Sequence, residues 1–256
     1  MDGYQVDEAP FYTGPNGLVL AFRGLSKDNS NRLITVVSHL LLRTTYRTQF
    51  PQVIDAVLNK GLEKARVGGN FCKIVEMQVD LSAAPEKYTV FHVMDTTADL
   101  AEERKEGQET SGETELRRYI EEAVELMARK PSGVAEVVKR VSHEGVPIIV
   151  KQHRFSVFRD NDRMQNELAK AINSAIVQAQ VEHPNACKVL EMHLDVSKAP
   201  KQYYLSHILE ALDRNLGKEI AQRREEQRLV SDGELWDFLR QVAGALAYAH
   251  SKVSYT

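Results

Sequence analysis

The chain says the same thing twice. CKIVEMQVDLSAAPEKYTVFHVMD (72–95) and CKVLEMHLDVSKAPKQYYLSHILE (187–210) match at a constant offset of 115, with ten of twenty-four positions identical. The identities include Cys72/Cys187, Lys73/Lys188, Glu76/Glu191, Met77/Met192, Asp80/Asp195, Pro85/Pro200, Tyr88/Tyr203 and His92/His207. Half of the remaining positions exchange Val, Ile, Leu and Met. The match extends outward more weakly: ITVVSH (34–39) aligns with IIVKQH (148–153), and ELRRYIEEAVELMARK (115–130) with ELWDFLRQVAGALAYAHSK (234–252). A period near 115 is too long for a solenoid unit and has the size of a small domain or half-domain. The chain is therefore expected to form two units of like fold, 1–130 and 131–256. The boundary falls at Lys130-Pro131-Ser132-Gly133, a helix stop followed by a turn.

Each repeat reads as α+β. A Gly-containing turn opens it, TGPNGLV (13–19) or KPSGVAEV (130–137). Apolar, β-branched strands follow, RLITVVSHLLL (32–42) and VPIIVKQHRFSV (146–157). A helix comes next, at 51–66 and 163–181; in the second, Leu168, Ile172, Ala175, Ile176 and Ala179 recur at helical spacing. Two strands then flank a Pro-containing turn, SAAPEK or SKAPKQ. A polar helical stretch and a long helix close each repeat. The hydrophilic insert EERKEGQETSGETE (102–115) and the charged run Phe155–Arg163 read as solvated loops.

Composition narrows the function classes. Net charge is -3, so there is no basic footprint for nucleic acid. The sequence contains no 18-residue apolar run and no secretory signal pattern, so a membrane span is not expected and the location is expected to be cytoplasmic. Cys72 and Cys187 occupy equivalent places, which favours two small buried thiols over a bridge. Neither has a zinc-ligand neighbour. His92 and His207 are likewise equivalent strand positions and read as structural. No metal ligands and no catalytic residues are expected.

The order of elements, with Ile148-Ile149-Val150-Lys151 on a strand, His183-Pro184-Asn185 after a helix and a last helix FLRQVAGALAYAHSK, resembles the N-terminal lobe of a eukaryotic protein kinase, present as two tandem degenerate repeats. In that family a Val-Ala-Ile-Lys strand supplies the lysine that holds the ATP phosphates. The resemblance implies ATP binding and Ser/Thr phosphorylation. By alignment it implies a nucleotide site of Lys151, Val137, gatekeeper Leu209 and hinge Glu210-Ala211-Leu212. It also exposes departures. The helix Glu that should hold the lysine falls at Ser174, beside Asn173. Val37 replaces the lysine in the first repeat, and Asn59 takes the helix position. Without a partner a buried Lys151 is costly, so it is expected exposed or paired otherwise.

The sequence ends at Thr256, where the family would continue into its catalytic loop and magnesium-binding motif. The chain is expected to lack phosphoryl transfer, with weak ATP binding and no magnesium site. The alternative is a non-catalytic pseudokinase-type scaffold that binds a protein partner, or a full kinase; a further one is an α+β interaction protein of another kind. The last helix carries Leu235, Trp236, Phe238, Leu239, Val242 and Leu246. It is expected to pack on a core or, failing that, to expose this face to a partner or a domain-swapped dimer.

Overall fold

The computed structural model describes residues 3–28, 32–67, 72–97, 111–128, 142–143, 146–156, 161–211 and 216–253. The first repeat contributes β1 (Tyr4–Val6), β2 (Tyr12–Thr13), β3 (Val19–Ser26), β4 (Leu33–Leu42), the one-turn helix α1 (Arg43–Tyr46), α2 (Phe50–Arg66), β5 (Lys73–Asp80), β6 (Lys87–Asp95) and α3 (Ser111–Ala128). The second contributes β7 (Ser142–His143), β8 (Val146–Ser156), α4 (Asn161–Ala179), β9 (Val189–Asp195), β10 (Gln202–Glu210), α5 (Leu216–Glu225) and α6 (Asp232–Val253). The architecture is α+β. The strands run in the order β1-β3-β4-β6-β5 in one sheet, with β2 on β3, and β7-β8-β10-β9 in the other; all pairs are antiparallel. The boundary at 130–133 lies outside the described residues, as do most of the 102–115 insert and residues 157–160.

Local chemistry explains the elements. Pro51 opens α2, where its missing N–H costs nothing, and Lys64 and Arg66 close it against the negative end of the helix dipole. Val53, Ile54, Val57, Leu58, Leu62 and Ala65 put one apolar stripe into the core. Met164, Leu168, Ile172, Ala175, Ile176 and Ala179 do the same for α4. Between β5 and β6, and again between β9 and β10, the conserved-in-both-repeats Asp80 and Asp195 accept the backbone N–H two residues on, at 2.8 Å each. The β2–β3 hairpin turns at Gly17, whose φ of 64° suits glycine. Part of the charged insert is not loop: Ser111–Glu115 form the first turn of α3, and Glu115 pairs with Lys64.

The two halves are interlocked rather than set side by side. Each long helix lies across the inner face of its own sheet and along the free edge of the other: α2 against β9, and α4 against β5. Asn59 reads that edge as a strand would. Its Nδ2 donates to Met192 O at 2.8 Å, and its Oδ1 accepts from Met192 N at 2.8 Å. Asn173 accepts from Met77 N at 2.8 Å on the opposite seam. Register shifts at Val75 and Leu190, again equivalent positions, turn carbonyls toward the helix ends. Arg66 Nη2 donates to Val189 O at 2.7 Å and also to Leu190 O; Gln180 Nε2 donates to Ile74 O at 2.9 Å.

A single apolar cluster runs through both halves, from Val19 and Leu41 to Met192 and Leu205. A smaller one, Ile34, Val36 and Val93 with Tyr4, Val6 and Phe22, covers the outer face of the first sheet. Gly61 lets α2 approach β5, since a Cβ there would collide with Met77 Sδ. Cys72 and Cys187 are both thiols rather than halves of a bridge; Cys72 is buried and Cys187 half-buried, with its Sγ donating to Glu210 O at 3.2 Å. Among the described residues no helix is long and apolar enough to cross a membrane.

Asn59→Ala removes both bonds to Met192 and leaves a partly buried strand edge unpaired. It should cost about 2 kcal/mol and lower Tm by about 4–8 °C. Thermal unfolding followed by circular dichroism checks this, and an unchanged Tm contradicts the clamp.

Candidate functional site: an open sheet face and a displayed helix

The repeats differ most at the inner face beside β4 and β8. In the first sheet Thr35, Val37, His39 and Leu41 are all buried there. β3 flanks them, and α3 covers them with Tyr119, Ile120, Ala123 and Met127. The fit is specific. The Tyr119 hydroxyl lies 2.6 Å from His92 Nδ1, which is 3.1 Å from His39 Nε2. Tyr46 donates to Met127 O at 3.0 Å. Lys60 reaches Glu122 at 2.7 Å with its ammonium 4.6 Å from the Tyr119 ring, and Lys64 binds Glu115. Burial pulls His39 down to about 3 and His92 down as well, so both are neutral and structural at neutral pH.

At an offset of 114 the second sheet places Ile149, Lys151, His153 and Phe155 on this face. None of the four is buried: Ile149 is 44% exposed, Lys151 is exposed, and His153 and Phe155 are half-buried. Lys151 stands opposite His207 on β10, and Ile149 opposite Leu209. His207 is buried and lies 5.1 Å, ring to ring, from His153. Burial first, and then His153 and Lys151, bring His207 down to about 4.

The helix that should cover this face is elsewhere. At an offset of 119 the buried Tyr119, Ile120, Ala123 and Met127 of α3 correspond to Phe238, Leu239, Val242 and Leu246 of α6. All four are exposed, Leu246 at 54%, with Trp236 beside them at 71%. The expectation that this helix packs on a core is therefore corrected.

Two physical reasons appear in the sequence of the second repeat. The lysines that clamp α3 are missing: Ser174 stands for Lys60 and Gln178 for Lys64. Gln178 donates instead to Cys187 O, and Ser174 to Ala171 O. And Glu234, the counterpart of Glu115, is used otherwise. It completes a capping box with Ser231, accepting from Ser231 N at 2.9 Å, and takes Arg223 of α5 at 3.1 Å. These contacts pull its carboxyl down to about 2. Arg223 also binds Glu219 at 2.6 Å, so α5 and α6 form one braced arm. Tyr248 of α6 meets His183 at a ring distance of 5.6 Å.

The nucleotide positions implied by the resemblance distribute as follows. Lys151 and Leu209 share the open face on adjoining strands, and Glu210 pairs with Ile148 at its end. Ala211 follows β10; Val137 and Leu212 lie outside the described residues. Asn59, aligned with the family's lysine-holding Glu, and Asn173, the neighbour of the aligned Ser174, are committed to the opposite sheet edges. Their equal spacing of 114 in the repeat was the signal for that role. Among the described residues no group of three or more His, Cys, Asp and Glu is placed to hold a metal ion.

The seams also differ. At one, His193 lies between two carboxylates, Nδ1 at 2.9 Å from Asp55 and Nε2 at 3.0 Å from Glu191. Asp55 accepts from Leu194 N at 2.9 Å. At the other, Gln78 and Ala169 replace His193 and Asp55, Gln78 donates to Glu76 at 2.6 Å, and an open groove of about 810 Å³ remains between β5 and α4. Comparison of the chain with models of known protein families, with characterised proteins and with solved structures found no match.

The hydrogen bond to Asp55 raises His193 above its ordinary 6.5. A raised folded value means stability that is full below pH 6.5 and lost as pH rises through the folded value. His193→Gln, which copies Gln78, should therefore be less stable than the parent below pH 6.5, with the gap closing as pH rises through the raised folded value. The His193 side chain is 41% exposed, so solvent screening keeps the gap on the order of 1 kcal/mol or less. Thermal melts of both proteins across this range test it; a gap independent of pH contradicts it.

Proposed function

We propose that this chain is a non-catalytic protein-interaction module of the scaffold type. Its interlocked core is the rigid part, and the α5–α6 arm is the docking element. The observation that carries this reading is the apolar stripe Phe238, Leu239, Val242 and Leu246, exposed on α6 while its counterpart on α3 is buried. A 22-residue helix with one exposed apolar face is the form in which helices bind grooves and sheets. No nucleic acid, membrane or metal enters the reading, and its setting is the cytoplasm.

The stripe gives a direct test in dilute solution. Leu239→Ala and Val242→Ala on α6 should each change stability by no more than about 0.5 kcal/mol, as exposed positions do. Ile120→Ala on α3 should cost about 2–5 kcal/mol. Denaturant titration measures both, and α6 substitutions as costly as the α3 substitution would sink the docking role.

A second reading follows from the kinase resemblance: a degenerate N-terminal lobe that keeps a nucleotide contact. It is favoured by the exposed ammonium of Lys151 above the apolar Ile149 and Leu209 on one face. This reading concerns the nucleotide contact alone, not phosphoryl transfer. Calorimetric titration with ATP, with and without magnesium, should then show binding that Lys151→Ala weakens about tenfold or more, the loss of one charge-assisted contact. Absence of heat, or binding indifferent to Lys151, removes this reading.

A further inference from the structure

The occupant of the α6 stripe can be named, given the docking role proposed above. The chain carries two complementary surfaces that do not meet in it. One is the stripe of α6. The other is the inner face at Ile149, Lys151, His153 and Phe155, which is uncovered to the extent that all four remain partly or fully exposed. The first repeat shows how such surfaces fit, because α3 on the β4 face is the same pairing at equivalent positions.

We propose that a second copy of this chain supplies the missing half. The α6 helix of each molecule lies on the β8 face of the other, as α3 lies on the β4 face within one molecule. The exchange is reciprocal, so one two-fold contact satisfies both surfaces on both chains and closes. The arm makes the exchange the natural outcome. The connection from Glu210 to Asp232 is built around α5, and Arg223 braces α5 to Glu234, so α6 is carried away from its own sheet.

Placement by the template brings Phe238 to His207, as Tyr119 stands at His92. Lys151, opposite His207, then faces an aromatic ring much as Lys60 faces Tyr119. The second copy is preferred over an unrelated protein because the same chain carries a stripe and a face equivalent in position to the pair that meet in the first repeat.

Light scattering of the full chain across concentration, joined to thiol cross-linking, tests this. In a Cys187→Ser background, one chain carries Lys151→Cys and another Gln241→Cys, at the rim of the stripe. The expected result is a particle of twice the chain mass, and a short bis-maleimide that links the two chains on mixing. Val242→Asp, and independently Leu246→Asp, should abolish both while leaving the circular dichroism of the core unchanged. A chain that stays monomeric at every concentration overturns the second copy as occupant, while harmless alanine substitutions in α6 would leave the docking role standing. A link formed within a chain carrying both cysteines, and never between chains, also overturns the exchange by showing that α6 folds back.

Discussion

Everything in this fold hangs on an exchange of helices across two sheet edges. An edge strand presents unpaired N–H and C=O groups, and a stable protein must cover or blunt them. Here Asn59 and Asn173 supply amide groups from helices at the edges of β9 and β5, and Arg66 and Gln180 take the carbonyls at the register shifts. Each sheet thus depends on the other repeat's helix to finish its edge. The shared core, which passes from one half to the other without a break, follows from that dependence.

Against this reciprocity the departures become informative. The first repeat closes its inner face with α3, clamped by Lys60 and Lys64 and seated on His92 through Tyr119. The second repeat has lost the clamps, has a lysine where the first has Val37, and holds its last helix on a braced arm. One repeat therefore buries the apolar stripe of its last helix, and its twin leaves the equivalent stripe exposed. The His193–Asp55–Glu191 cluster marks a divergence between the two seams, since the other seam has Gln78 and Ala169 at the equivalent positions and an open groove.

Much of the fold was legible in the residues. The β-branched runs at 33–42 and 146–156 are strands, the periodic apolar residues of 50–66 and 161–179 are helices, and the repeat gave the order of elements twice. The interlocking was harder to see. Asn59, and Ser174 with its neighbour Asn173, looked like failed versions of a charged helix position, because a polar residue on a helix does not announce which backbone it will meet. The fate of α6 was illegible for a related reason. Its apolar spacing is nearly that of α3, and what separates the two helices is a pair of lysines on another helix, far away in sequence, and an arginine on the neighbouring α5.

The central claim is that equivalent helices have opposite fates, α3 docked and α6 displayed. Amide hydrogen exchange in dilute solution compares them within one molecule. The account predicts that amides of 111–128 exchange as slowly as the core strands, while those of 232–253 exchange by local opening and much faster. Equal, core-like protection of both helices would contradict it.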